Sequence, residues 1–355
     1  MRVPARPAAI AARSVRSGLR RVVERQPGAR RVATRLRAEL DRALAVDGYG
    51  GGYFGEDRDP LDRMGLSGYE RYGRDTSNAD VAAYVVWRFL QPRRSLDVGC
   101  ATGFVVEALA ELDVDAHGCD FSQWAVDHPA AGASGRLQWA NLLQRLPYGD
   151  ASFDVVTVLE TLEHLPPDQI PAALASLARV AGRFVVATIP SFGPNEHGPD
   201  GFLEAKVIDE QLETYKRMGP FYEGPVPHED LFTDVRGQPI EGHLTIASFS
   251  WWSARFAEVG LIRRPDIELA MHPVLARCGQ TEFWNLYVLE RSASPQPTAL
   301  VPRTDAELRE VEARWRLFER PISERAMALL AAGAGPAAVA TARLEIPPPA
   351  RVTDP

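Results

Sequence analysis

The sequence predicts an α/β protein with a mostly parallel sheet and helices on both of its faces. Short strand patterns alternate with helical patterns from Arg94 onward, the strands are apolar runs, and glycines or acids follow their ends. Strands of a parallel sheet are covered by helices on both sides, so they appear as continuous apolar runs. The chain has 355 residues, of which 45% are hydrophobic and 25% charged, as is usual for globular proteins.

The elements follow in a regular order. A helix that we expect Ser77 to cap stops before Pro92. Next come a strand at SLDVG, a helix at GFVVEALAELD, strands at VDAHGCD, LQWANL and FDVVTVLE, a helix at PDQIPAALASLARVA and a strand at RFVVATIP. An irregular stretch, 191–241, precedes a helix at SWWSARFAEVG and strands at LIRRPDIEL and TEFWNLYVLER.

Both ends of the chain differ from this central domain, residues 48–291. The sequence predicts a basic helical arm at residues 1–47, and 1–38 hold eleven arginines with one acid, Glu24. We expect the arm to pack on the domain or on a partner subunit, with peripheral attachment to an anionic membrane as the alternative. Residues 292–355 predict a proline-rich linker, a helical segment and a disordered tail.

Charge and cysteine content limit the partners and the compartment. The net charge is −7 although the arm is basic, so the body is acidic and nucleic acid is not an expected partner. Cys100, Cys119 and Cys278 form neither a disulfide framework nor a Cys-x-x-Cys pair, which fits a cytoplasmic protein. No apolar run of the sequence is long enough to span a bilayer.

The turn after the first strand, in RSLDVGCATGF, predicts the ligand class. No lysine follows Gly103, so it is not a phosphate loop, and the spacing of Gly99 and Gly103 does not match Gly-x-Gly-x-x-Gly. Asp97 would repel a pyrophosphate and suits a ligand with a positive amine. Ligands of such sheets bind at the carboxyl ends of the strands, where Gly99 allows close approach.

The ends of the next two strands add complementary groups. Asp120 ends the second strand and can accept both hydroxyls of a ribose, Phe121 can lie against an adenine, and the amide of Asn141 can pair with the adenine edge. With the amine-tolerant glycine turn, these groups describe a site for S-adenosylmethionine.

Four stretches, LDVGCATG, GCDFS, LPYGDASFDVVTVLETLEHLP and RFVVATIP, resemble the successive motifs of class I S-adenosylmethionine-dependent methyltransferases. The resemblance extends over residues 80–291 and implies a Rossmann-like seven-stranded sheet of order 3-2-1-4-5-7-6, with the last strand antiparallel. It implies that the insert 191–242 covers the substrate and that Tyr69 and Tyr72 close over the cofactor. Ala101 departs from the commonest motif, which has glycine there. The expected cofactor-binding residues are Asp97, Gly99, Cys100, Gly103, Asp120, Phe121, Asn141, Leu142 and Glu160.

The stretch LETLEHL carries the expected chemistry. It resembles ubiquinone-type O-methyltransferases and small-RNA 2′-O-methyltransferases, in which a Glu-x-x-Glu-His stretch lies beside the substrate and is associated with divalent metal binding. We expect Glu163, His164 and His197 to be catalytic. Glu160, Glu163 and His164 form a metal site in one hypothesis, with His197 as a fourth ligand. In the other, His164 is a general base.

Three functions agree with these residues. The leading one is O-methylation of a small molecule such as a sugar or a specialised metabolite. The alternatives are 2′-O-methylation of RNA with a divalent metal and a non-catalytic scaffold that binds S-adenosylmethionine. Histidines of the insert region, among them His228 and His243, could complete a metal site or hold a polyol; the alternative is that each is a surface or turn residue.

Overall fold

The computed structural model describes residue 54 and residues 72–192, 222–228, 231, 242–278, 285–292 and 300–318. These residues contain a sheet of seven strands and a second sheet of two. The strands are Arg94–Val98 (β1), Asp115–Asp120 (β2), Leu137–Trp139 (β3), Phe153–Leu159 (β4), Ala181–Thr188 (β5), Ser191–Phe192 (β6), Ala247–Ser248 (β7), Leu261–Arg263 (β8) and Leu286–Arg291 (β9).

The large sheet has the order β3-β2-β1-β4-β5-β9-β8. Strands β1 to β5 pair in parallel, and β9 lies antiparallel to both of its neighbours, β5 and β8. When these seven strands are counted alone, the order is 3-2-1-4-5-7-6, so the predicted topology is confirmed. The small sheet pairs β6 with β7 in parallel, and the sequence pattern did not indicate it.

Helices cover both faces of the large sheet. They are Ala79–Leu90 (α1), Phe104–Ala110 (α2), Gln123–Asp127 (α3), Ile170–Val180 (α4), Phe249–Glu258 (α5), Pro265–Arg277 (α6) and Asp305–Arg314 (α7). The side chains of α1, α2 and α6 belong to one hydrophobic cluster, whereas those of α4 and α5 belong to the other. Successive strand residues alternate between the clusters, as Val155 and Val156 of β4 do.

This two-sided burial explains why the strand sequences are continuous apolar runs. Val155, Val156 and Val158 of β4 are each 0% exposed. Complete burial of one such side chain stabilises the fold by about 1.5–3 kcal/mol. The central strands are therefore a rigid base for the groups at their carboxyl ends.

Two local predictions were wrong. The strand expected at LIRRPDIEL stops at Arg263, because Pro265 begins α6 and Glu268 turns back to bind Arg263, with Nη2 and Oε2 2.9 Å apart. Ser77 does not cap α1. Asn78 is the N-cap, in a left-handed conformation, and the Ser77 hydroxyl donates to the carbonyl of Arg74.

Several predictions fall outside the described residues. They concern the arm 1–47, most of the insert 191–242, Tyr69, His197 and the tail beyond residue 318. Within the C-terminal region, residues 300–318 pack on the domain: α7 begins with a capping box of Thr304 and Glu307, and Val311 and Leu317 are buried. No helix in the described ranges is both long enough and apolar enough to cross a membrane.

Candidate active site

The loop between β1 and α2 combines three residues in the left-handed conformation. Gly99, Ala101 and Gly103 have φ values of 77°, 47° and 85°. Glycine adopts this conformation without strain, whereas alanine at such a φ costs about 1–2 kcal/mol. This explains why the position of Ala101 carries glycine in the commonest form of the motif, and it shows that the surrounding contacts hold the loop in a fixed shape.

Four of the five amide groups in the loop 99–103 already donate within the chain. Gly99 and Cys100 donate to the carbonyl of Cys119 at 2.8 and 3.2 Å, Gly103 donates to Cys100 at 2.8 Å, and Ala101 donates to Oδ2 of Asp120 at 2.8 Å. A phosphate cradle needs such N–H groups to point at the ligand. The geometry therefore supports the sequence argument against a phosphate-binding loop.

Asp97 ends β1 as a buried carboxyl group, with 5% of the residue exposed. Burial raises its pKa to about 7, the Thr157 hydroxyl that donates to Oδ1 at 2.6 Å opposes the rise, and the charge of Asp120 adds to it. A cationic amine beside Asp97 would stabilise the ionised form. Asp97 thus has the properties expected of a group that receives a positively charged ligand.

Asp120 at the end of β2 joins the two halves of the cofactor site. Oδ2 accepts the N–H of Ala101 and Oδ1 accepts the N–H of Ser122, at 2.8 and 2.7 Å. Burial raises the pKa of this carboxyl group, and the backbone N–H donors lower it. An ionised carboxylate has about four acceptor positions and Ala101, Phe121 and Ser122 donate to this one, so capacity remains for a ribose hydroxyl, as predicted from the sequence.

Phe121, the residue predicted to lie against the adenine, is half-exposed and packs against Trp139. The ring of Phe121 lies 6.0 Å from that of Trp139, and Nε1 of Trp139 donates to the carbonyl of Phe121 at 2.8 Å. Asn141 follows β3, and its Oδ1 accepts the N–H of Leu143 at 2.9 Å. The side-chain oxygen of Asn141 is thus used in a turn, and its NH₂ group is the part suited to the adenine edge.

Two other predicted cofactor residues are buried. Leu142 belongs to the hydrophobic cluster that contains α4 and α5. Cys100 is a free thiol whose pKa is raised by burial, with the charges of Asp120 and Asp97 adding to the effect. Cys100 is therefore a neutral packing group, and its side chain is unsuited to nucleophilic chemistry.

The turn after β4 closes directly on the cofactor loop. Glu160 adopts a left-handed φ of 47°, and its N–H donates to the carbonyl and the hydroxyl of Thr188 at 3.0 and 3.1 Å. A Cβ at Gly99 would lie 2.3 Å from the hydroxyl oxygen of Thr161, the next residue. The groups that follow Thr161 are therefore adjacent to the cofactor loop.

Glu163, His164 and His243 form a cluster at this edge of the sheet. Their ligand-type atoms all lie within 4.8 Å of one another, and the rings of the two histidines are 5.2 Å apart. Glu163 and His243 are buried, and His164 is half-buried. Within the described ranges this is the group of acids and histidines close enough to hold a metal ion, and Glu160 is not part of it.

Backbone hydrogen bonds hold this cluster together. The carbonyl of Glu163 accepts the N–H groups of Leu244 and Thr245 at 2.7 and 2.9 Å, and the Thr245 hydroxyl donates to Leu165 at 2.5 Å. The carbonyl of Gly242 lies 3.3 Å from Nδ1 of His164. The segment that carries His243 is thus fastened to the short 3₁₀ turn that carries Glu163 and His164.

Sequence reasoning found two members of the cluster and did not place the third. His243 was one of several histidines in the insert region, and nothing in the local pattern distinguished it. Two residues at or against the cofactor loop were also missed. Thr161 defines the space at Gly99, and the buried Thr102 has a hydroxyl oxygen without a hydrogen-bond partner among the described residues.

The residues present fit S-adenosylmethionine. Asp97 suits its amine, Asp120 suits its ribose, and the orphaned hydroxyl of Thr102 can donate to its carboxylate. No lysine or arginine lies in the loop 99–103, as expected for a ligand with a sulfonium charge and no phosphate.

The chain is similar to known methyltransferases. A family model described as "Methyltransferase domain" matches residues 96–182. The ubiquinone biosynthesis O-methyltransferase of Methylococcus capsulatus is 34% identical over 106 residues, which cover 28% of this chain and 45% of that protein. The protein of the same name from Bordetella avium is 29% identical over 159 residues, which cover 43% of this chain and 64% of that protein. The chain thus spans about half to two thirds of the length of these curated relatives.

Among solved structures, the magnesium protoporphyrin IX methyltransferase of Synechocystis PCC 6803 with bound SAH is 19% identical. The similarity covers 62% of this chain and 83% of that one, with a TM-score of 0.36. The family match over residues 96–182, the strand order and the motif residues at the strand ends together make this chain similar to the class I S-adenosylmethionine-dependent methyltransferases.

Proposed function

We propose that this protein transfers a methyl group from S-adenosylmethionine to a hydroxyl group of a small molecule. The observation that carries the proposal is the cluster of Glu163, His164 and His243, which follows directly on the turn that touches the cofactor loop. The names of the curated relatives support transfer to oxygen. The acidic body, outside the basic arm, favours a small acceptor over RNA.

The cofactor supplies an electrophilic methyl group, so the protein must orient the acceptor hydroxyl and help to remove its proton. The cluster is suited to both tasks. Without a bound cation, the imidazole of the half-buried His164 would be the proton acceptor, and the buried Glu163 and His243 restrict the position of its ring. The left-handed Glu160 directs the chain from β4 into this turn, so the strain at Glu160 lies at the reacting end of the site.

We further propose that the cluster holds a divalent cation. One carboxylate and two imidazoles are a ligand set suited to borderline divalent ions such as Mn²⁺ or Zn²⁺, and the atoms already converge within 4.8 Å. A cation held by these three residues would lower the pKa of the acceptor hydroxyl. In this proposal His243 is the additional ligand that the sequence alone could not identify.

A turnover assay with methyl-labelled S-adenosylmethionine tests the proposal. The acceptor panel contains phenols with neighbouring hydroxyls, sugars and a short RNA, each assayed with chelator and with added Mg²⁺, Mn²⁺ or Zn²⁺. We expect methylation of a small hydroxyl compound, loss of activity with chelator and recovery with a divalent ion. His164→Ala and His243→Ala should each lower the rate by about 10²–10⁴.

The variant His117→Ala is the matched control, because His117 lies on β2 beside Asp115, outside the cluster. Its activity should equal that of the wild type. Activity that survives the chelator but falls in His164→Ala would replace the cation with a general base. Turnover of RNA alone, or cofactor binding without turnover of any acceptor, would contradict the proposed function.

A further inference from the structure

Two aromatic side chains from outside the sheet bridge the helices of the cofactor site. The ring of Phe54 stacks on that of Trp124 in α3, with centroids 5.2 Å apart and an angle of 14°. The ring of Tyr72 lies 5.6 Å from that of Phe104, the first residue of α2. Phe54 and Tyr72 also contact each other at 5.3 Å, and the N–H of Tyr72 donates to the carbonyl of Phe54 at 3.3 Å. We call Phe54 and Tyr72 the aromatic cover.

Arg74, two residues after Tyr72, fixes this segment to the domain. Its Nε lies 2.6 Å from Asp80 at the start of α1, and Nη1 lies 3.3 Å from Glu107 in α2. Nη1 and Nη2 together bind both carboxylate oxygens of Glu111, at 2.5 and 2.8 Å. Two parallel hydrogen bonds from one guanidinium group to one carboxylate fix the orientation of the guanidinium group and also strengthen the contact. Arg74 therefore links the segment that carries Tyr72 to α1 and α2.

Trp315, just after α7, closes over the pair of Arg74 and Glu111. The guanidinium carbon of Arg74 lies 5.5 Å from the centre of the Trp315 ring, and Nε1 of Trp315 donates to Oε2 of Glu111 at 3.1 Å. The Trp315 ring thus contacts the cationic side chain of Arg74, and its N–H donates to the carboxylate of Glu111. A cation–π contact and a hydrogen bond of this kind each contribute about 1 kcal/mol. The C-terminal segment thus adds to the stability of the contact that holds the cover.

Other contacts fasten the same C-terminal segment at a distance from the cover. Gln91 and Val301 exchange two hydrogen bonds, of 2.5 and 3.0 Å, beyond the end of α1. The guanidinium of Arg303 lies 4.2 Å from the centre of the Trp87 ring. Contacts other than those of Trp315 therefore hold residues 300–318 against α1. The effect of Trp315 on the cover can thus be tested without detaching this segment.

We propose that Trp315 is a positioning residue for cofactor binding, which acts through Arg74 to hold the aromatic cover against α2 and α3. This inference depends on the cofactor site assigned above but not on the identity of the acceptor. When a cover exchanges between a docked and an undocked position, the apparent affinity of the ligand falls with the docked fraction. A modest loss of contact energy at Trp315 is then measured as weaker cofactor binding, although the domain stays folded.

The test compares Trp315→Ala, Arg74→Ala, the double variant and Arg303→Ala as the matched control from the same segment. Titration calorimetry with S-adenosylhomocysteine measures affinity, hydrogen exchange at the Tyr72 amide measures the order of the cover, and thermal unfolding measures stability. We expect Trp315→Ala to bind about tenfold more weakly, which corresponds to about 1.4 kcal/mol, and to exchange faster at Tyr72. Trp315→Ala should have no further effect in the Arg74→Ala background.

The control separates positioning from general stability. Arg303→Ala should lower the unfolding temperature but leave both affinity and Tyr72 exchange unchanged. If Trp315→Ala and Arg303→Ala alter these two readouts equally, or neither alters them, the inference is wrong. Hydrogen exchange needs no cofactor, so an unchanged rate in Trp315→Ala would overturn the inference even if the wild type bound no S-adenosylhomocysteine. Absence of binding to the wild type would instead contradict the cofactor assignment.

Discussion

Cofactor affinity should depend on pH through the buried Asp97. Burial raises the pKa of this carboxyl group to about 7 in the unliganded protein, so at lower pH it must lose a proton before it can pair with the cationic amine. Protonation of Asp97 in the unliganded protein then weakens cofactor binding by a factor of about 1 + 10^(7 − pH). From pH 7.5 to 5.5 this predicts a loss of about 25-fold, or about 2 kcal/mol.

The sign for folding is opposite to that for binding. The pKa of Asp97 in the folded state lies above its ordinary value, so the protonated carboxyl stabilises the unliganded fold below about pH 4. That contribution disappears as the pH rises through about 7. The cofactor should therefore raise the unfolding temperature more at pH 7.5 than at pH 5.5.

Titration calorimetry with S-adenosylhomocysteine at constant ionic strength measures this dependence. The range stays below the pKa of typical α-amines, so the ligand remains mostly cationic, and Asp97→Asn corrects for the fraction that is neutral near pH 7.5. Asp97→Asn keeps the side-chain oxygen that accepts the hydrogen bond from Thr157 but cannot ionise. It should bind weakly at all pH values, with a nearly flat profile. An equally steep profile in Asp97→Asn, or a flat one in the wild type, would refute this account of Asp97.

Three further substitutions test the site and the fold. Gly99→Ala should greatly weaken cofactor binding, because its Cβ would lie 2.3 Å from Thr161 at a φ of 77°, and Thr161→Ala should restore only part of the affinity measured by calorimetry. Asp120→Ala should cost about 1.5–3 kcal/mol of binding free energy, since the carboxylate anchors the loop and accepts the ribose, and unchanged affinity would remove Asp120 from the site. Glu268→Ala should lower the free energy of unfolding in urea by about 3–5 kcal/mol, because it leaves Arg263, whose side chain is 8% exposed, without its buried carboxylate. A loss below about 1 kcal/mol, as at exposed ion pairs, would contradict the burial argument.

The order of the elements explains why one sheet edge carries the whole candidate site. The predicted cofactor groups Asp97 and Asp120 lie at the ends of β1 and β2, and the turn with Glu163 and His164 follows β4. Parallel strands place all their carboxyl ends at one edge, with β1 between β2 and β4. Asp120 and the cluster of Glu163, His164 and His243 are therefore reached from the two neighbours of β1, the strand that leads into the loop at Gly99.

The sequence by itself predicted the parallel sheet and the positions of the expected cofactor groups at its strand ends. Alternating apolar strands and helices indicate a parallel sheet, and each predicted cofactor group, such as Asp97, Gly99 or Asp120, lies within a few residues of a strand end. A pattern of that kind is local, so its spatial meaning follows once the strands are recognised. The resemblance to a family then supplied the order of the strands, which local patterns alone do not give.

Only the tertiary structure decided the contacts between distant segments. His243 joins Glu163 and His164 because residues 242–245 hydrogen-bond to the turn after β4, and Trp315 reaches Glu111, 204 residues away along the chain. Such pairs leave no periodicity in the sequence. Likewise, intrinsic preferences disfavour the left-handed Ala101, and the buried pair of Glu268 with Arg263 helps α6 replace an expected strand. Contacts between residues far apart in the sequence contribute enough energy to outweigh these local preferences. A local sequence pattern does not predict such contacts.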